Sequence, residues 1–93
     1  MNNIAAIYYA QGNFCKALEY QKQSLVICRE ASDLAGEAVA SWWIGLTYEE
    51  LGRLTKAEEY MSQGMKIMCS IGHPKLETCC EGLERVRAKR QAA

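Results

Sequence analysis

The sequence has a single histidine, His73, which stands immediately before its only proline. Histidine often moves protons in enzymes, but a catalytic histidine needs a second group held beside it. No motif connects His73 to Cys69, Cys79 or Cys80, and the chain contains no glycine-rich phosphate loop. A lone histidine at a turn is usually structural, so we expect no enzymatic activity and no cofactor.

Net charge is also absent, because eleven basic and eleven acidic side chains cancel. A neutral molecule has no overall field that attracts nucleic acid or an anionic membrane. The basic residues are concentrated near the end, where residues 81–93 hold four basic and two acidic groups. Because Glu81 is spaced to pair with Arg85 on a helix, this segment is most simply a solvated, frayed helix end. We expect neither a nucleic-acid partner nor a membrane partner.

Long hydrophobic runs are missing too. No stretch approaches the roughly 20 apolar residues that cross a bilayer, and the start of the chain lacks the basic leader of a secretory signal. The hydrophobic share of 49% and the charged share of 24% are those of a folded protein. With 93 residues the chain forms one domain at most, and we expect it to be cytoplasmic.

The five cysteines are odd in number and have no C-x-x-C spacing, which fits neither a disulfide framework nor a zinc module. We interpret them as reduced, small core residues with no bound metal. Cys69, Cys79 and Cys80 support one alternative function, that of a small helical protein responding to redox state or metal through its thiols. Adjacent cysteines on a helix point in different directions, and their apolar spacing with Leu76 and Leu83 favours burial.

What the sequence does contain is an internal repeat with a period of 40 residues. Placing residues 4–40 over residues 44–80 without a gap gives ten identities. Chance would give about two or three, and a fixed period in this range marks stacked supersecondary units. The identical pairs are Ile4/Ile44, Tyr8/Tyr48, Gly12/Gly52, Lys16/Lys56, Ala17/Ala57, Glu19/Glu59, Tyr20/Tyr60, Gln23/Gln63, Ile27/Ile67 and Glu37/Glu77.

Apolar residues recur at helical spacing within each unit, and no segment alternates with a period of two. The chain is therefore predicted to be all-α, with breaks where glycine, proline and turn-forming polar residues occur. The predicted breaks are at Gly12, Ser32-Asp33, Gly52 and Gly72-His73-Pro74. The five predicted helices are 1–11, 14–31, 35–51, 55–70 and 75–90.

Two of the predicted helix starts carry capping signals. Asn13 is suited to cap the second helix, because its short side chain can accept a backbone hydrogen bond. Thr55 and Glu58 have the spacing of a capping box at the start of the fourth helix.

Small residues fall where the two helices of each hairpin would meet. Gly64 lies inside a predicted helix, where glycine costs about 1 kcal/mol relative to alanine unless close packing recovers the loss. We therefore expect tight helical hairpins. The small residues at the expected contacts are Ala5, Ala17, Ser24, Gly45, Ala57 and Gly64.

Residues 44–60 resemble the tetratricopeptide repeat (TPR). The family's order of Leu-Gly, Tyr, Gly, Ala and an aromatic is met by Ile44-Gly45, Tyr48, Gly52, Ala57 and Tyr60. The first copy meets it at the positions forty residues earlier, which are Ile4-Ala5, Tyr8, Gly12, Ala17 and Tyr20. The resemblance implies a right-handed α-α superhelix, a TPR solenoid of about two and a half helical hairpins.

The period of 40 residues differs from the 34 residues that are usual in this family. In this respect the chain resembles the longer repeats of the G-protein-signalling modulators and the kinesin light chains. We expect a first repeat with a truncated first helix at residues 1–34, a second repeat at 35–74, and a capping helix with a basic tail at 75–93. We also expect the chain to be part of a longer array, with a homo-dimer forming through the exposed repeat end.

In this family the first helix of each repeat lines a concave groove. The resemblance implies a groove that binds a peptide segment of a partner protein, so the chain is expected to be a protein-interaction module. Carried over position by position, the groove residues are Asn2, Ala6, Tyr9 and Ala10 from the first copy and Trp42, Leu46, Glu49 and Glu50 from the second.

This set of groove residues forms an aromatic and apolar floor with an acidic rim, which favours a peptide with apolar anchors and basic flanks. Two other interpretations stay open. Trp42 could pack under a neighbouring repeat outside this chain, because repeat faces are readily shared. Glu49 and Glu50 could form a solvated helix end.

Overall fold

The computed structural model describes residues 3–74 and 76–92, and this part of the chain contains five helices and no strand. The predicted all-α fold with five helices is confirmed. The helix ends lie within two residues of the predicted ones, apart from the predicted start at residue 1, which lies outside the described residues. The helices are α1 (Asn3–Ala10), α2 (Phe14–Glu30), α3 (Leu34–Glu50), α4 (Leu54–Ile71) and α5 (Leu76–Ala92).

The turns between helices use the left-handed backbone conformation. Gly12, Gly52 and Gly72 have φ angles of 81°, 78° and 67°, which glycine adopts without a steric cost. Ser32 takes the same conformation between α2 and α3, with a φ of 56°. The turn signals in the sequence therefore mark the real helix ends.

Side-chain hydrogen bonds cap the N-termini of α2 and α3. The backbone N–H of Lys16 donates to the side chain of Asn13 at 3.4 Å, which confirms the predicted cap of α2. Asp33 caps α3 in the same way. The predicted capping box of α4 is wrong, because the cap position is Arg53 and Thr55 already lies inside the helix. The turn repeats the geometry of the first copy, so Arg53 occupies the place of Asn13, and its side chain has no atom that can accept the capping hydrogen bond.

Helices α3 and α4 approach closely at their glycines. A Cβ atom on Gly45 would lie 3.0 Å from the carbonyl oxygen of Ala57, and one on Gly64 would lie 2.9 Å from the carbonyl oxygen of Ala38. Both contacts are to backbone, which cannot turn aside. The prediction of a tight hairpin is confirmed for this pair of helices.

The core extends from α2 to α5 and is divided into two clusters. The second cluster is smaller and lies where α3, α4 and α5 meet, around Ala38, Met68 and Cys79. Trp42 and Met65 are partly buried and pack against both clusters. Helix α5 is therefore part of the core. The larger cluster consists of Leu25, Ala40, Ile44, Tyr48, Ala57, Met61, Leu83 and Val86.

The two repeats stack through a buried polar contact. The hydroxyl of Thr47 in α3 lies 2.8 Å from the side-chain oxygen of Gln21 in α2, and both residues are buried. Each hairpin also contains a pair of stacked tyrosine rings, Tyr8 with Tyr20 and Tyr48 with Tyr60, with centroids 5.7 Å apart in both. Tyrosines that repeat in the sequence thus make the same contact in both hairpins.

The close approach at Gly64 predicts that Gly64→Ala destabilises the protein. Alanine gains about 1 kcal/mol of helix propensity, but overpacking against a backbone carbonyl costs about 1 to 3 kcal/mol. We expect a net loss of up to about 2 kcal/mol in the free energy of unfolding, measured by urea denaturation. The control, Lys66→Ala at an exposed position of the same helix, should change it by less than about 0.5 kcal/mol. Stabilisation by Gly64→Ala would contradict the packing.

Candidate functional site

The first helices of the repeats, α1 and α3, lie side by side with α5. Tyr9 of α1 and Trp43 of α3 meet edge to face, with ring centroids 5.6 Å apart. Trp42 of α3 contacts α5, because a Cβ on Gly82 would collide with its ring. The three helices thus present one surface, which we call the first-helix face. Its residues are Ala6, Tyr9, Trp43, Leu46, Glu49, Glu50, Arg85 and Lys89.

Tyr9 is the central aromatic residue of the first-helix face. It is half-buried and meets both Trp43 and Phe14 edge to face. Burial raises the pKa of Tyr9 above its ordinary value of 10.0, and the carboxylates of Glu50 and Glu49 raise it further. Its hydroxyl therefore remains protonated at neutral pH and can donate a hydrogen bond to a ligand.

Glu49 holds α5 onto α3. Arg85 donates to both of its carboxylate oxygens at 2.8 and 2.9 Å, and Lys89 donates to it at 2.8 Å. The hydrogen bond from Arg85 is the main cause that lowers the pKa of Glu49 to about 2, against the opposing effect of burial. The expectation of a solvated helix end is wrong for Glu49, whose side chain is 5% exposed. Glu50 is exposed.

The basic residues of α5 also reach α4. Arg87 and Arg90 both lie 3.1 Å from carboxylate oxygens of Glu58. The interpretation of this segment as a frayed end with Glu81 pairing Arg85 is wrong, because Arg85 pairs with Glu49 and the helix continues to Ala92. Single ion pairs at a protein surface contribute little to stability. Bidentate and shared ion pairs such as these also fix the orientation of α5 on α3 and α4.

Trp42 lies neither in an open groove nor under a repeat outside this chain, which were the two interpretations from the sequence. It is partly buried and packs under α5 of this same chain, against Gly82 and both core clusters. Trp43 instead carries the exposed aromatic surface and is 38% exposed. The spacing of Trp43 with Leu46 and Glu50, at three and seven residues, is the signal that could have identified it.

The other predicted groove residues are distributed unevenly. Ala6 and Ala10 are exposed, and Leu46 is partly buried against the main core cluster. Asn2 lies outside the described residues. The assignment of these residues to a binding groove remains a prediction.

The thiol alternative is not favoured by the positions of the cysteines. The interpretation of the cysteines as core residues is wrong for Cys15 and Cys69, which are exposed. Cys80 is intermediate, and Cys79 is buried with its Sγ 3.3 Å from the sulfur of Met68. Among the described residues, no three His, Cys, Asp or Glu side chains are grouped so that they could hold a metal ion. Within the same part of the chain, no helix has the length and apolar character needed to cross a membrane.

A model of the tetratricopeptide repeat family matches residues 1–70. This chain belongs to the tetratricopeptide repeat family. The match covers both helical hairpins, and the fold is the helical-repeat scaffold that the resemblance implied. TPR domains are in general scaffolds for protein interactions, and the family is a non-enzymatic type.

Among solved structures, this TPR chain is similar to the apo form of RapI, with a TM-score of 0.92 and 27% sequence identity. The alignment covers 96% of this chain and 25% of the RapI chain, so the protein spans about a quarter of the length of that relative. No curated protein sequence matches the chain significantly.

The ion pairs of Glu49 predict a specific dependence of stability on pH. The pKa of Glu49 is about 2 in the folded protein and 4.5 ordinarily. Its ionised form therefore adds stability above about pH 4.5, and this contribution is lost as the pH falls toward 2. Between these pH values, the free energy of unfolding of the wild-type protein should fall by about 2 kcal/mol more than that of Glu49→Gln. Urea denaturation across this pH range measures the difference.

The matched control for this experiment is Glu50→Gln, which removes the neighbouring exposed carboxylate. The free energy of unfolding of Glu50→Gln should depend on pH in the same way as that of the wild-type protein. Equal acid dependence in Glu49→Gln and wild type would show that α5 is not held by Glu49.

Proposed function

We propose that the first-helix face binds a peptide segment of a partner protein, with an apolar or aromatic side chain of that peptide against Tyr9 and Trp43. The observation that carries this proposal is the edge-to-face pair of these two rings, which bridges α1 and α3 and stays partly exposed. Tyrosine and tryptophan dominate binding hot spots, because they offer a large contact area with little side-chain entropy to lose.

The charges around the aromatic pair define the rest of the ligand. Arg85 and Lys89 neutralise Glu49, so Glu50 is the exposed carboxylate beside Tyr9. The acidic rim is thus reduced to one group, and a single basic residue next to the anchor suits it better than a run of basic flanks. The protonated hydroxyl of Tyr9 offers a donor for a peptide carbonyl.

The exposed side of α1 supports a place for this chain within a longer array. Ile4 and Ile7 are 54% and 56% exposed, whereas their counterparts forty residues later, Ile44 and Thr47, are fully buried. In the second repeat this side of the helix packs on α2, where Thr47 meets Gln21. The face of α1 is therefore built for a repeat contact or for self-association. In this proposal the chain consists of two repeats, at residues 1–34 and 35–74, and a cap at residues 75–93. It acts in the cytoplasm and without catalysis.

A selection from a phage-displayed library of random peptides against the reduced protein tests the proposed function. Selected peptides should contain an aromatic or large apolar residue and should bind Tyr9→Ala at least about tenfold more weakly, because the anchor loses its main contact. Fluorescence polarisation of labelled peptides measures the affinities.

The control is Val26→Ala, which removes an exposed apolar side chain from α2, away from this face. Its affinity for the selected peptides should equal that of the wild type. Peptides that bind Tyr9→Ala as tightly as the wild type, or a selection without enrichment, would contradict the proposal.

A further inference from the structure

An aromatic cluster joins α1, α2 and α3, and the second repeat replaces it with other residues. Tyr9 meets Phe14 at a ring-centroid distance of 5.2 Å and Trp43 at 5.6 Å, with ring planes at 75° and 82°. The counterparts forty residues later pack in the main core cluster or form ion pairs. These counterparts are Glu49 for Tyr9, Leu54 for Phe14 and Leu83 for Trp43.

The fold therefore does not require aromatic rings at this junction, since leucines and an ion pair close the equivalent one. The two edge-to-face contacts hold the ring of Tyr9 from two sides and fix its orientation. The ring stays half-buried, so part of it faces solvent. An oriented and partly exposed ring presents the negative face of its π system, which attracts cations.

The charges around Tyr9 also favour a cation. Helix α1 ends one residue after Tyr9 and α3 ends at Glu50, and the pKa of Tyr9 is raised by the carboxylates of Glu50 and Glu49. The C-termini of two helices thus lie close together, and each carries about half a negative charge. Arg85 and Lys89 balance Glu49 and Glu50. The net local charge is therefore about one negative unit.

Glu50 is the carboxylate that a ligand can reach at this place. The side chain of Glu49 is 5% exposed and is held by Arg85 and Lys89, whereas Glu50 is exposed at the end of α3. A cation that contacts Tyr9 on the side of Glu50 gains both the ring and the carboxylate.

We propose that an arginine of the partner peptide binds at this place, with its guanidinium against the exposed part of the Tyr9 ring and its N–H groups directed to the carboxylate of Glu50. This inference rests on the proposed function, because the arginine belongs to the peptide whose anchor contacts Tyr9 and Trp43. The anchor occupies the Trp43 side of Tyr9, and the arginine occupies the Glu50 side.

Arginine suits this surface better than lysine does. A guanidinium is planar and weakly hydrated, so it can lie on a ring while its edge donates hydrogen bonds to a carboxylate. The ammonium of lysine is compact and strongly hydrated, and water competes for it wherever the site is open. Because Tyr9 is only half-buried and Glu50 is exposed, the site is open on one side.

The test uses four blocked tetrapeptides, Gly-Phe-X-Gly, in which X is arginine, lysine, citrulline or norleucine. Citrulline keeps the shape of arginine without its charge, and norleucine reports the phenylalanine anchor alone. Binding to the reduced, isotope-labelled 93-residue chain is followed by the shifts of the backbone amide signals of Tyr9 and Glu50 in nuclear magnetic resonance titrations.

The arginine peptide should bind at least about fivefold more tightly than the citrulline and norleucine peptides, because a cation–π contact and an ion pair both contribute. It should bind at least about twofold more tightly than the lysine peptide. Glu50→Gln should lower the preference for arginine over citrulline to about twofold, which the ring alone supports. The matched control is Glu19→Gln, an exposed carboxylate on α2, which should keep the full preference.

Equal binding of the arginine and citrulline peptides to the wild-type protein would overturn the inference, and so would an undiminished arginine preference in Glu50→Gln. A lysine peptide that binds as tightly as the arginine peptide would overturn it too, since charge alone would then be recognised. If the norleucine peptide binds as well as the arginine peptide, the proposed function stands and only this inference fails. If none of the four peptides shifts these signals, the anchor contact fails as well, and with it the proposed function.

Discussion

The structure depends on α3, because this one helix has to contact all four of the others. Gly45 lets α4 approach to backbone contact, Thr47 meets α2 through a buried polar contact, and Trp43 meets α1. Trp42 lies under α5. Because one helix has only a limited surface, each contact determines which residues of α3 stay exposed. Of the α3 residues on the first-helix face, Trp43 and Glu50 are the exposed ones.

The chemistry of α5 determines the character of that surface. Helix α5 is held by Leu83 and Val86 in the core and by four basic residues that pair with carboxylates of α3 and α4. Capping of a helical array usually requires a polar outer face, and α5 provides one. It also neutralises Glu49, so aromatic surface outweighs negative charge on the first-helix face.

Much of the fold could be predicted from the sequence because its causes are local. The left-handed glycines, the cap at Asn13 and the small residues of the hairpins follow from backbone geometry and helical spacing. The 40-residue repeat added the stacking of hairpins, since equal sequences pack alike. The capping box failed where two local signals competed and the turn geometry decided in favour of Arg53.

The site was less predictable because it depends on distant parts of the chain. Glu49 pairs with Arg85 and Lys89, which lie 36 and 40 positions away, and no motif in the sequence predicts these pairs. The most direct test of the account is whether α5 packs on Trp42, since this contact creates the first-helix face. In a nuclear Overhauser spectrum, cross-peaks between the indole ring protons of Trp42 and the α protons of Gly82 are predicted. Their absence in a fully assigned spectrum would contradict the account.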